Sequence, residues 1–412
     1  MNTTEQSCCP PRPTRRGLLR GAALAGGIAV AGSTVVTMSA APAAAARSRA
    51  SSVLVVLSLR GAADGLSLVV PHGDPAYYAA RRTIALPADR LIARDGFFGM
   101  HPAMAPLLPL WESGRLAAVH ATGLPMPNRS HFSAMEQLED ADPGSAERVG
   151  WLNRLIGAQP GATALEGLAL GSSIPTSLLG PEPVMSFPDV DVVRIGGADG
   201  SPKRVQSLTT QWRNASTPMA TAFRTAMSSV TDLSPAKAEP DNYPRYPQGE
   251  LGNALASVAR TLRADIGVSA VTVDSGNWDM HTGVGQADRG WMNRNATELS
   301  GCIAAFFADL GHVADRVTLV TISEFGRRVK ENSTGGLDHG WGNVMLVAGA
   351  GVRGGQYYGK WTPLATTLDA DVPVTTDYRS VLAEIVAART TASTSAVFPG
   401  FKRERVGVMV GQ

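Results

Sequence analysis

The run Val53-Leu54-Val55-Val56-Leu57-Ser58-Leu59 is almost wholly apolar and β-branched. A strand of that pattern is buried on both faces, as in a parallel sheet covered by helices. Four more runs read the same way: Leu116 to His120, Val268 to Val273, Val317 to Ile322 and Asn343 to Ala348. Before the third and fourth of these five runs the apolar spacing lengthens to a helical period, over 249–264 and 291–310. This alternation predicts an α/β fold, a doubly wound and mostly parallel sheet with helices on both faces. Two stretches rich in Gly, Pro and charge, 196–203 and 235–249, read as loops. The helical segment between them, around Thr210 to Val230, makes 196–249 a candidate insertion or cap.

Polar residues follow the predicted strands. Arg60 and Asp64 come after the first, Asp274, Asp279 and His281 after the third, and Glu324 and Arg327 after the fourth. Ligands of open α/β sheets bind beyond the carboxyl ends of the strands. Separate strand ends would therefore bring these acids, histidines and arginines to one crevice.

The chain opens differently. Thr14-Arg15-Arg16-Gly17-Leu18-Leu19-Arg20 precedes a weakly apolar stretch rich in Ala and Gly from Gly21 to Ala46. A twin-arginine export signal has this form, with small residues at Ala44 and Ala46 before a cleavage point. Gly21 to Ala46 also has the length of a membrane span, about 20 residues, but its Gly, Ala, Ser and Thr content favours cleavage over a stable membrane anchor. Residues 1–46 are read as the signal peptide and 47–412 as the exported domain, whose partner in transit is the twin-arginine machinery.

Charge sharpens the picture. Of 37 basic and 35 acidic residues, four and one fall in 1–46, which leaves 33 and 34. So balanced a chain gives no support to a nucleic-acid partner. Cys8 and Cys9 lie in the same segment, so the exported chain keeps only Cys302, in an apolar helical run, and cannot form an internal disulfide.

The candidate chemistry is concentrated in four segments. Asp274-Ser-Gly-Asn-Trp-Asp279-Met-His281 puts two carboxylates and an imidazole in one short loop, which suits a metal loop or a solvated turn. Asp338-His339 follows Gly335-Gly336, and glycines let a backbone approach a ligand closely. Here Asp338 is either a ligand or the carboxylate that orients a histidine. Imidazole with carboxylate favours zinc, manganese or iron, with calcium or magnesium less suited. In Ser323-Glu324-Phe325-Gly326-Arg327-Arg328, Glu324 is a ligand, a general base or an ion-pair partner of an arginine, and Arg327 offers a planar fork for an anion. In Arg129-Ser130-His131-Phe132-Ser133, Ser130 caps a helix or acts as a nucleophile helped by a metal or by His131. Arg60, Arg129, His131 and Arg328 complete the substrate-binding candidates.

Together, Leu59-Arg-Gly-Ala-Ala-Asp64-Gly, Arg129-Ser-His-Phe, Trp278-Asp-Met-His281, Ser323-Glu-Phe-Gly-Arg327 and Asp338-His-Gly340 resemble an exported family called domain of unknown function 1501. That family is similar to the alkaline phosphatase and sulfatase superfamily, which hydrolyses phosphate or sulfate esters at divalent metals. The resemblance implies a first metal-binding acid at Asp64, an acid–histidine pair at Asp274 or Asp279 with His281, and a late histidine at His339. An Asp-His dyad of the superfamily falls at Glu324-Phe325, where phenylalanine stands for histidine. The nucleophile region falls near Asn128 to His131. The expectation is a secreted, metal-dependent hydrolase of phosphate or sulfate esters, small or polymer-borne. Metal ligands are expected among Asp64, Asp274, Asp279, His281, Asp338 and His339. The alternative is an exported, non-catalytic binding or assembly protein on a decayed hydrolase fold.

Overall fold

The computed structural model describes residues 28–31, 34–37, 50–142, 148–159, 164–194 and 201–412. Arg15-Arg16 and the expected cleavage point at Ala46 lie outside the described residues. The expected strands are present as β1 (Val53–Leu59), β2 (Leu116–Gly123), β5 (Ala270–Ser275), β6 (Val317–Ile322) and β7 (Asn343–Gly349), joined by the shorter β3 (Gly167–Leu170), β4 (Met185–Phe187), β8 (Tyr357–Tyr358) and β9 (Thr376–Asp377). The sheet runs β4-β3-β5-β1-β6-β7-β2-β8, with β9 also on β2. Two short strands, Ile28–Ala31 and Thr34–Thr37, pair antiparallel beside β4, inside the segment read as an export signal.

From β4 to β6 every neighbour is parallel. β7 is the exception, antiparallel to both β6 and β2. A parallel return needs a crossover, usually a helix. Between β6 and β7 the chain has no long helix, only the irregular stretch 323–342, so it turns back on itself. That stretch carries much of the candidate site.

The side chains of β1 alternate between two cores. Val53, Val55, Leu57 and Leu59 face helices α2 (Glu250–Arg263) and α3 (Trp291–Leu310) through residues such as Leu255 and Ile303. Leu54 and Val56 face the opposite layer, with Trp151, Met135 from α1 (His131–Asp140) and Val381 from α4 (Tyr378–Arg389). A strand buried on both faces thus sits at the centre of an α/β sandwich, as its composition requires. Cys302 lies in the α3 core, and burial pushes its thiol up to about 12.

The candidate insertion is helical, with helices at Pro202–Trp212, Pro218–Asp232 and Ser234–Ala238. Its central helix begins later than the apolar pattern suggested, because Thr217 accepts from the Ala220 N–H and Pro218 occupies the first turn. Among the described residues no helix is long and apolar enough to cross a membrane.

Candidate metal centre

Four connections leave the sheet at one end and meet there. The exit of β1 is the most constrained. Gly61 and Ala62 both have positive φ, +110° and +58°, which turns successive N–H groups the same way. Such a nest binds anions, and the buried Glu324 carboxylate fills it. Its Oε1 accepts from Gly61 N at 2.7 Å and its Oε2 from Ala62 N at 2.9 Å. Three residues on, Arg327 holds the carbonyls of the same two residues. Its Nε donates to Ala62 O at 2.7 Å and its Nη2 to Gly61 O at 2.5 Å. Further bonds run to Leu337 O, Trp278 O and Asp279 Oδ1, so Arg327 ties three strand exits together with no exposed surface. Gly61 must be glycine, since a Cβ there would stand 2.5 Å from Asp279 N.

Beside this clamp, three histidines point at one another. His131 opens α1, His281 follows β5, and His339 belongs to the β6–β7 stretch. His131 Nδ1 lies 3.1 Å from Glu324 Oε1, His281 Nδ1 lies 3.2 Å from Asp338 Oδ1, and His339 Nδ1 lies 2.9 Å from Arg129 O. All three partners are acceptors, which assigns a proton to each Nδ1; an imidazole with its one proton there leaves its lone pair on Nε2. Those lone pairs converge. His339 Nε2 is 3.0 Å from His131 Nε2 and 3.0 Å from His281 Nε2. Asp279 Oδ1 is 3.1 Å from His281 Nε2 and 3.5 Å from His339 Nε2.

Lone pairs facing lone pairs and a carboxylate repel unless a cation lies among them. Two nitrogens bound to one tetrahedral zinc at about 2.0–2.1 Å would stand roughly 3.3 Å apart, close to the spacing here. His131, Asp279 and His339 place ligand atoms within 4.8 Å of one another and form a group that could hold a metal ion. Burial and the nearby positive groups keep His339 below its usual pKa despite the Arg129 carbonyl, so it is neutral and ready to ligate. Burial would raise Asp279, but its bond to Arg327 holds it below the usual carboxylate range. Phe325 packs under the group, 5.0 Å from the His131 ring and 4.9 Å from the His339 ring. The position expected to hold a dyad histidine is therefore an apolar floor.

Several expected roles are corrected. Arg327 cannot clamp a substrate anion, because it is sealed in the protein and occupied by carbonyls. Both oxygens of Glu324 are taken by the nest and His131, so it positions His131 instead of facing the cluster as a ligand or base. Asp64 is not at the centre: it is fully buried against Arg81, with contacts at 2.5 and 2.9 Å. Arg81, which carried no sequence signal, also holds Ser67 and the Val329 and Arg328 carbonyls. Asp274 points away to Arg60, whose other arm reaches the buried Glu139 at 2.6 Å. Asp338 contacts the Nδ1 side of His281, away from the cluster. Arg129 and Arg328 are both drawn onto Asp371. Ser130 stands at the start of α1 with no side-chain cap bond. Gly336 approaches protein, not ligand; a Cβ there would meet His281 O at 1.8 Å.

A cavity of about 640 Å³ adjoins His131 and Asp279, bounded by α1 on one side and Gly276-Asn277 on the other.

The chain belongs to the family of proteins of unknown function DUF1501, whose profile matches residues 51–404. No curated protein matches the chain.

Two outcomes follow from the buried charges. Arg327→Met should cost about 3–5 kcal/mol, typical of breaking a buried charged network, and lower the Tm whether or not a metal is supplied. An unchanged Tm would contradict the clamp. The second concerns acid. Burial alone would raise the Asp64 pKa, but Arg81 holds it below the ordinary value near 3.9. Asp64 thus contributes stability above that value, lost as pH falls through its depressed folded pKa. The Tm gap between wild type and Asp64→Asn should be widest at neutral pH and shrink below about pH 4; a gap independent of pH would contradict it.

Proposed function

We propose that this protein is an exported, metal-dependent hydrolase of phosphate or sulfate esters, on a fold related to the alkaline phosphatase-like superfamily. One observation carries the reading: three imidazoles, each anchored at Nδ1 by an acceptor, turn their Nε2 atoms toward each other and toward Asp279. The motif resemblance supplies the reaction class. The donor set of imidazole and carboxylate suits zinc, manganese or iron better than calcium or magnesium. When bound, such a metal supplies Lewis-acid charge and makes water or an alcohol a usable nucleophile near neutral pH.

The chain's own residues hold this arrangement in place. Glu324, Asp338 and the Arg129 carbonyl fix the tautomer and angle of the three rings, while Arg327 keeps Asp279 ionised and aimed inward. Arg60, Arg129, Arg327 and Arg328 are each paired with acids, so the substrate's negative charge would be met at the histidine cluster instead of at a guanidinium fork. Ser130 lies between Arg129, whose carbonyl holds His339, and His131 itself, which makes it the candidate hydroxyl nucleophile. Export by the twin-arginine route would let the chain fold and load its metal in the cytoplasm. That Arg60, Arg129, Arg327 and Arg328 are all paired with acids favours the second reading, an exported metal-holding protein without catalysis.

Protein folded in the cytoplasm and purified without chelator should carry close to one equivalent of a transition metal per chain by elemental analysis. His339→Ala should lower that content at least about tenfold. The parent should hydrolyse an aryl phosphate, phosphodiester or aryl sulfate, and Ser130→Ala separates attack by serine from attack by water. Metal at full occupancy without turnover on the panel would favour the binding reading. A parent that binds no metal would overturn both.

A further inference from the structure

The cavity beside His131 and Asp279 has a chemical character of its own. Its α1 wall presents His131, Phe132, Met135, Glu136 and Glu139, so one turn of helix carries both a candidate ligand and an apolar surface. The charges around it are already matched. Arg60 pairs with Asp274 and Glu139, and Glu136 with Arg148 at 2.6 Å. Glu324 is buried in its nest. A ligand in this space meets no unpaired charge except at the histidine end.

Phe132 does not behave like a core residue. It is 91% exposed, the highest value among the exposed large hydrophobic side chains of the described residues. It directly follows His131, and it lines the cavity with Met135. An aromatic ring left in water at the mouth of a pocket gains most when a ligand covers it. Methionine adapts to flat or irregular apolar partners.

We infer that the cavity receives the organic part of the substrate, and that this part is uncharged and apolar, an aryl or long alkyl group seated on Phe132 and Met135. The inference rests on the ester hydrolase reading and narrows it to phosphate or sulfate esters of apolar alcohols. Polyanionic and sugar-borne esters fit this wall poorly, since it offers them neither free cations nor a row of unpaired polar groups.

The test uses the metal-loaded full chain and two pairs of non-hydrolysable probes, phenylphosphonate against methylphosphonate and benzenesulfonate against methanesulfonate, with affinities by calorimetry. The phenyl probe of at least one pair should bind about tenfold or more tighter than its methyl partner, the order expected for covering an aromatic surface. Phe132→Ala should collapse that ratio toward one, with metal content equal to the parent's. Equal affinities in the parent, or a ratio that survives Phe132→Ala, overturns the apolar seat. Phenol is the separating probe. If no phosphonate or sulfonate binds but phenol does, and Phe132→Ala removes it, the seat stands and the ester reading falls. If phenol also fails to bind, both fall.

Discussion

Everything at the working end of this sheet depends on how Glu324 and Arg327 hold the backbone N–H and carbonyl groups of Gly61 and Ala62. One side chain takes the N–H groups and the other the carbonyls, from the same short motif after β6. A left-handed, Cβ-poor loop is thereby fixed against a parallel neighbour with both polarities satisfied. Leaving those groups buried and unpaired would cost about 1–3 kcal/mol each. The arrangement also reaches outward. Glu324 passes its remaining capacity to His131, and Arg327 to Asp279, so the elements that lock the loop also aim two of the candidate ligands.

The histidine cluster follows from that frame. Nε2 atoms 3.0 Å apart are stable only when a positive charge is shared among them, and protonating one ring is opposed at His339 by burial and by its charged neighbours. A metal ion resolves the conflict without protonation. Phe325 beneath two of the rings leaves room for one compact centre and fills the place where a further imidazole would extend it. The paired arginines fit the same logic: their charge stabilises the protein, and the centre itself is where a substrate anion would be drawn.

Much of this was legible in the chain. β1, β6 and α3 were readable because burial on two faces leaves an unbroken apolar run and burial on one leaves a helical period. His281 and His339 were readable because they follow glycine-bearing turns next to acids. His131 was read as a substrate contact or as a helper of Ser130, not as a ligand, since Arg129-Ser-His-Phe reads equally well as the start of a helix, which it also is. Asp64 and Arg327 were misassigned for one reason. A charged residue near a strand end can face the crevice or the core, and short motifs do not show which. Arg81, the partner that decides Asp64, sits in a stretch with no motif at all. The antiparallel course of β7 escaped notice because its apolar run looks like that of a parallel strand, and only the missing crossover helix marks the difference.

Before any metal arrives, the protein's own contacts fix three rings with protons on Nδ1 and lone pairs on Nε2. Nitrogen-15 resonance spectroscopy of the imidazoles in chelated protein near neutral pH measures this directly. The expected spectrum shows the Nδ1–H tautomer for His131, His281 and His339, and large shifts of their Nε2 signals, not of Nδ1, when one equivalent of zinc is added. Nε2–H tautomers at these three positions, or Nε2 signals that ignore zinc, would contradict it.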